Sequence, residues 1–415
     1  MLGPDEPRYA AIGREMARTG DFVAPVLWGK PWFEKPPLLY WMTAVGTRLG
    51  LGPDLAPRVP VALLAWGFVL FLWWIARTEL GETDALFSAA ILGTSVAWLA
   101  YGFVAVTDLP LSATFCAALL LALYRPGWRW AAVSGALLGL AILAKGLVPL
   151  VLIAPVVWPL RRRIRDLLVI GIAAMAVAGP WYAAMTARFG RLFLDDFIWK
   201  HHFQRFATDA LQHVRPWWFY LPVLLGAMLP WTPVLAVMRS DRRTAFLWCW
   251  VGYTVVFFSA SRNKLPGYIL PVVPIVALLL GTALARARNV RSVLAVSGCL
   301  TAGLLVAGFV LPEALKHGLS RAPLTLPWWM WVVAAGAAGF VWLIRDRVWA
   351  SLAVAGLAIG FVLYLKATAG PELDRQVSAR PAWTKRTQSC LPPNADRDLQ
   401  YGLNYYAGQE LPPCR

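Results

Sequence analysis

The chain has 415 residues, 59% of them hydrophobic and 15% charged, with 23 tryptophans and a formal net charge of +17. A water-soluble protein of this length cannot hide so much apolar surface, so most of it must face lipid or other membrane helices. The cations lie in short clusters between long apolar runs, which fits a polytopic membrane protein and argues against a nucleic-acid partner.

Met1 is followed at once by polar "LGPDEPRYA", with no cleavable signal peptide. The stretch "EPRYAAIGREMARTG" reads as an amphipathic interfacial helix. Tyr9, Ile12 and Met16 fall on one stripe, and Arg8, Arg14, Glu15 and Arg18 lie elsewhere. In "PWFEKPPLLYWM", the adjacent Glu34 and Lys35 cannot share a helix face, and the prolines after them stop a helix from running through. The pair therefore sits at the mouth of a second helix that starts near Pro37, at a polar–apolar boundary. Residues 1–58 form one outer segment.

Apolar windows able to cross a core of about 30 Å recur near 59–76, 84–104, 109–124, 130–144, 147–160, 166–187, 216–238, 244–260, 266–285, 291–311, 326–344 and 347–366. This predicts an all-α polytopic fold of about twelve transmembrane helices over 59–366. Arginines at 77, 125, 129, 161–163, 165, 239, 242, 243, 286, 288, 291, 345 and 347 all fall on one side, which the Lys/Arg bias assigns to the cytoplasm. Residues 129–160 would make a helix of roughly 48 Å, too long for one crossing. Arginines at both ends require an even number, so two short helices must turn at "AKGLVP" and place Lys145 on the outer side.

Residues 367–415 form a short polar external tail. Of five cysteines, Cys116, Cys249 and Cys299 lie in apolar runs, and no CxxC or Cys/His metal spacing occurs. Cys390 and Cys414 bracket the tail and either close a disulfide around a strand-like "LQYGLNYY" or remain free thiols.

With this topology the unusual polar residues gather outside: Asp5, Glu6, Arg8, Glu34, Lys35, Asp108 in "AVTDLPLS", Lys145, "WKHHFQRF" and "SRNKLPGY". Carboxylates among fixed cations at an apolar boundary suit a reaction that makes or releases an anion. Neither GxxxxGK[ST] nor a strand-borne GxGxxG is present. Energy must then arrive with an activated substrate, and a sugar on a polyprenyl phosphate fits. Each residue also has a plainer role: Asp5 with Arg8 as a helix charge pair, Asp108 as an N-cap, Lys145 as a snorkelling anchor, Tyr268 as a belt aromatic and the histidines as loop residues.

The string "DEPRYAAIGREMARTGDFVAPVLWGKPWFEKPPLLYWMTA" resembles the first outer loop of bacterial lipid A aminoarabinose transferases, which belong with the protein O-mannosyltransferase-like, polyprenyl-phosphate-dependent glycosyltransferases. The likeness continues through "TDLPLS", "LAKGLVP", "HHFQRF", "FYLPVLLGAMLPW" and "FFSASRNKLPGYILPVVP", covering roughly residues 5 to 285. It implies catalytic roles for Asp5, Asp108 and Lys35. It also implies a donor-phosphate site of Lys35, Arg8, Lys145, Arg205, Tyr268 and Lys264, and a divalent metal on Glu34 and His202. The family places a transmembrane helix before the "DEPRY" loop, so a first helix is expected upstream of this chain. The expected activity is inverting transfer of a sugar from a polyprenyl-phosphate donor to a lipid, glycan or protein acceptor, at the outer face of the cytoplasmic membrane. A flippase of lipid-linked sugars and an inactive truncated relative are the alternatives.

Overall fold

The structure, a computed structural model, describes residues 3–197, 215–238, 244–306, 310, 327–385, 390–393 and 395–414. It begins with α1 (Asp5–Thr19), a short hairpin of β1 (Val26–Leu27) and β2 (Lys30–Pro31), and α2 (Leu38–Arg48). Then follow α3 (Arg58–Glu79), α4 (Glu82–Thr94), α5 (Val96–Gly102), α6 (Asp108–Tyr124), α7 (Trp128–Lys145), α8 (Val148–Ile153), α9 (Val157–Leu160) and α10 (Ile164–Phe189). Later helices include Ala245–Ala260, Val272–Arg286, Arg291–Thr301, Trp328–Leu343, Arg347–Val377 and, in the tail, Arg397–Ala407.

Two helices form the axis of the bundle. In α6, every residue from Leu109 to Ala122 is buried, and Val272–Arg286 is buried from Val272 to Leu284. A helix apolar all round needs apolar surroundings, protein or lipid, and for these two the surroundings are protein. The α6 helix packs on α7, and Val272–Arg286 packs on α4. By contrast α3 and α10 turn Leu63, Trp66, Leu168, Ile172 and Met175 outward, exposed apolar surface that suits lipid. The α7–α10 contact is close because Gly135 and Gly139 lie against the backbone of Ile170 and the side chain of Val177, where a Cβ would collide.

Among the described residues three helices are long and apolar enough to cross a bilayer: Arg58–Glu79, Ile164–Phe189 and Arg347–Glu372. The pair Glu82–Thr94 and Val96–Gly102, bent by 59°, is a fourth if counted as one span. This strict count falls below the expected twelve because several windows are filled by short or broken helices. The 84–104 window breaks at Ser95, whose backbone is extended and whose Oγ donates to Leu92 O at 3.0 Å. The 216–238 window is not one helix. It runs as a 3₁₀ turn, the helix Tyr220–Ala227 and a second 3₁₀ segment, Thr232–Val237. Pro222, Pro230 and Pro233 remove the amide donors a continuous helix needs.

The turn expected at "AKGLVP" is present. The α7 helix ends at Lys145, Gly146 adopts φ 78°, and α8 starts at Val148. The second N-terminal helix starts at Leu38, directly after the prolines. The first differs from a surface helix: Glu6, Arg8, Tyr9, Ile12 and Met16 are all buried, because α2 packs on one side and the tail helix on another. Amphipathic spacing showed the apolar stripe but not the second contact. The tail also differs. "LQYGLNYY" lies in a helix rather than a strand, since Asp396 accepts from Leu399 N at 2.8 Å and Gly408 closes the other end in the left-handed region. Cys390 and Cys414 are joined by a disulfide.

Candidate active site

The site forms where four segments distant in sequence meet. Asp5 stands in the first turn of α1 and Asp108 in the first turn of α6. Each carboxylate therefore lies at the positive end of a helix dipole. Glu34 and Lys35 come from the proline-locked corner after the hairpin, and Lys145 from the C-terminal end of α7.

One cavity, with an empty volume of about 1020 Å³ including its open mouth, is lined by Asp5, Glu34, Lys35, Asp108, Lys145 and Tyr268. Its remaining wall is largely apolar, with Val106, Leu111, Val148, Phe257, Phe258 and Leu265. A charged floor against a greasy wall fits an anionic head on a hydrocarbon tail.

Around it the charges interlock, with Arg8 behind the lining residues rather than among them. Lys145 Nζ donates to Asp108 Oδ1 at 2.5 Å, and the same ammonium lies 4.6 Å from the centroid of the Tyr268 ring. Lys35 Nζ is 3.4 Å from Glu34 Oε1, and Arg8 approaches the other oxygen of Glu34 at 3.6 Å. Arg8 also pairs with Asp5 and donates from Nε to Pro4 O at 3.0 Å. Burial works against the Arg8 charge, but Asp5 and Glu34 outweigh it and hold the guanidinium above its ordinary pKa. Burial, reinforced by Glu34 and Asp5, pushes the Tyr9 hydroxyl on the pocket wall well above its usual range.

Glu6, which the sequence groups with the outer polar residues without giving it a role, and Gly267 of "SRNKLPGY" hold the acids in register. Glu6 is fully buried. Its carboxylate accepts from Arg58 at 2.7 and 2.6 Å and from the Ala105 amide at 3.1 Å. This ties the helix carrying Asp5 to α3 and to the approach of α6. Gly267, next to Tyr268, leaves room for Asp108, since a Cβ there would sit 2.7 Å from Asp108 Oδ1 and 2.6 Å from the Tyr101 hydroxyl. An aromatic cluster sets the corner from behind, with Phe33 packed edge-on against Phe189 and Phe193.

The remaining expected residues are placed otherwise. Lys264 does not line the cavity. It is buried and donates to Ser261 O at 2.5 Å and Arg215 O at 3.1 Å, so its charge braces the "SRNKLPGY" loop. Arg205 and His202 lie outside the described residues. Among the described residues no three His, Cys, Asp or Glu side chains cluster to hold a metal. Glu34, the other expected ligand, already faces two cations, Arg8 and Lys35. That environment disfavours adding a divalent cation.

The family model of dolichyl-phosphate-mannose-protein mannosyltransferases matches residues 34–182. An undecaprenyl phosphate-α-4-amino-4-deoxy-L-arabinose arabinosyl transferase of Pseudomonas aeruginosa (strain UCBPP-PA14) is 35% identical, over 97% of this chain and 83% of the relative. A Pseudomonas fluorescens (strain Pf-5) protein of the same description, number 2, is 36% identical over 68% of this chain; the match spans 52% of that relative's length. The crystal structure of ArnT from Cupriavidus metallidurans bound to undecaprenyl phosphate superposes with a TM-score of 0.78 at 26% identity, covering 99% of this chain and 81% of that one. The fold and the charged, half-apolar pocket define a membrane-embedded glycosyltransferase of the polyprenyl-phosphate-dependent class. Within that class, the chain belongs to the family of undecaprenyl phosphate-aminoarabinose arabinosyl transferases.

Proposed function

We propose that this protein transfers a pentosyl group, 4-amino-4-deoxy-L-arabinose, from undecaprenyl phosphate to a lipid acceptor with inversion at the anomeric carbon. The acceptor that the family resemblance favours is a phosphate of lipid A. The observation that carries this reading is the single cavity in which Asp5, Glu34, Lys35, Asp108 and Lys145 face an apolar wall.

As the C1–O bond to the carrier phosphate breaks, its electron pair stays on the phosphate oxygen and positive charge grows on the sugar ring. Lys35, aided by Lys145 and Arg8, stabilises the departing phosphate through charge-assisted hydrogen bonds. To do so, Lys35 and Lys145 exchange their carboxylate partners Glu34 and Asp108 for phosphate oxygens. Asp108, freed in that exchange, or Asp5, which stays beside Arg8, offsets the ring's charge. An ionised phosphate acceptor forms the new C1–O bond with no proton to lose. A hydroxyl acceptor would pass its proton to one of the two aspartates, a contribution of typically about 10²–10⁴-fold.

The same reading places the pocket on the external side of the cytoplasmic membrane, by the arginine bias of the opposite loops. It also divides the chain into an outer segment (1–58), a bundle of twelve crossings (59–366) and an external tail (367–415). Purified protein supplied with radiolabelled aminosugar on undecaprenyl phosphate, plus lipid A, tests it. Label on lipid A supports the enzyme; label that crosses the bilayer still attached to its carrier overturns it in favour of a flippase. Repeating the assay with a chelator tests for metal dependence, and full activity in the chelator argues against a metal on Glu34 and His202.

A further inference from the structure

One cluster beside the pocket touches that mechanism only through Arg8: the seam between α1, the hairpin and the tail helix. The Tyr401 ring stacks on Trp28, with centroids 5.6 Å apart and planes 13° from parallel. The Arg8 guanidinium lies 5.0 Å from the Tyr401 centroid and 5.4 Å from that of Trp32. The cation that pairs with Asp5 and approaches Glu34 is thus held by one ring from the tail and one from the segment leading to Glu34. Trp28 takes part from a left-handed backbone conformation, φ 48°, unusual for a bulky residue and followed by Gly29 at φ 79°.

The tail is built to hold that ring in place. Tyr405 donates to Pro53 O at 2.6 Å, Tyr406 to Asp54 Oδ1 at 2.6 Å, and Arg14 Nη2 to Tyr405 O at 2.7 Å. The Cys390–Cys414 disulfide ties the two ends of the segment together. Asp398, three residues before Tyr401 and so on the same helix face, has its pKa raised by burial and by the charges of Asp396 and Asp5, which puts this face in the electrostatic reach of the pocket acids.

We propose that Tyr401 is a positioning residue of the transfer reaction: its ring fixes the plane of the Arg8 guanidinium so that the donors meet Asp5, Glu34 and the incoming carrier phosphate. A guanidinium presents a rigid planar fork, so its orientation decides which oxygens it can reach, and stacking is the direct way to set that plane. The inference deepens the proposed function and rests on its assignment of Arg8 to the donor phosphate.

The test measures the affinity of the purified full chain for undecaprenyl phosphate carrying no sugar. Tyr401→Ala is expected to raise Kd about tenfold, while Tyr401→Phe, which keeps the stacking face, stays within about twofold of wild type. Tyr401→Leu keeps most of the volume without the π face and should behave like Tyr401→Ala, which separates stacking from simple loss of packing. In an Arg8→Ala background, Tyr401→Ala should add less than about twofold, because the effect travels through Arg8. Wild-type affinity in Tyr401→Leu, or an undiminished Tyr401→Ala effect without Arg8, overturns the inference. Lys35→Ala is measured alongside: wild-type affinity there sinks the phosphate-site reading itself, whereas weakened binding in Lys35→Ala beside unchanged binding in the Tyr401 variants refutes only the positioning role.

Discussion

The two ends of the helix bundle carry charge in contrasting ways. At the end where α3 meets α4 and α6 meets α7, arginines pair with nearby acids: Arg163 with Asp166 at 2.6 Å, Arg125 with Glu79 at 3.3 Å, and Arg77 with Glu82 and Arg286 with Asp84, both at 3.6 Å. Several also cap helix ends, as Arg163 does for Ala122 O at 3.2 Å and Arg347 for Ala285 O at 2.6 Å. These contacts satisfy carbonyls that a helix leaves open at its C-terminus. At the other end, Lys35, Lys145 and Arg8 share carboxylates drawn from segments far apart in sequence, around a cavity. The first arrangement secures loops. In the proposed reaction the second lets its cations release one anion and accept another.

The comparison can be pressed by substitution. Lys35→Ala should give the largest effect, a fall of at least about 100-fold in transfer with an unchanged melting curve, since it removes the charge that the proposed mechanism sets against the leaving phosphate. Near-normal turnover in that variant would break the distinction between the two ends. Glu6→Ala should act on stability, by about 3–5 kcal/mol, because it strands the partly buried Arg58 without its partner. Denaturation that leaves stability within about 1 kcal/mol would show that Glu6 is not the tie between α1 and α3.

Gly267→Ala is a finer probe. The added methyl would press on Asp108 and Tyr101, and overpacking of this kind costs about 1–3 kcal/mol. Transfer should fall about tenfold while carrier binding is retained, and an unchanged kcat would mean that the exact seat of Asp108 is unimportant. Arg77→Ala at the opposite end should change least. Its pair with Glu82 is exposed, worth about 0–1 kcal/mol, and activity should remain within twofold. A large loss of transfer there would place chemistry at the wrong end.

Much of this was legible in the sequence because membrane solvent makes strong demands. The helix break at Lys145 follows from bilayer thickness and flanking arginines, and the corner at Glu34–Lys35 follows from proline geometry. The ordered motifs named Asp5, Lys35, Asp108 and Lys145, all of which line the cavity. Other features depend on contacts between distant segments. Lys264 reads as one more cation for the phosphate, yet the loop fold turns it onto the carbonyls of Ser261 and Arg215. Glu6 sits beside Asp5 in the string, but only the approach of Arg58 and Ala105 shows that it holds the helix rather than the substrate. Inside its cysteine bracket "LQYGLNYY" reads as a strand-like core; the cap at Asp396 and the docking onto α1 make it a helix. No spacing rule joins Tyr401 to Arg8 across almost the whole chain.

The most direct test of the account is a structure of the protein with undecaprenyl phosphate bound, determined in a lipid nanodisc. The account predicts the phosphate within hydrogen-bond reach of the Lys35 ammonium, with the polyprenyl chain leaving along the wall of Leu111, Phe257 and Phe258. A phosphate seated away from Lys35, Lys145 and Arg8, or among the arginines of the opposite end, would contradict it.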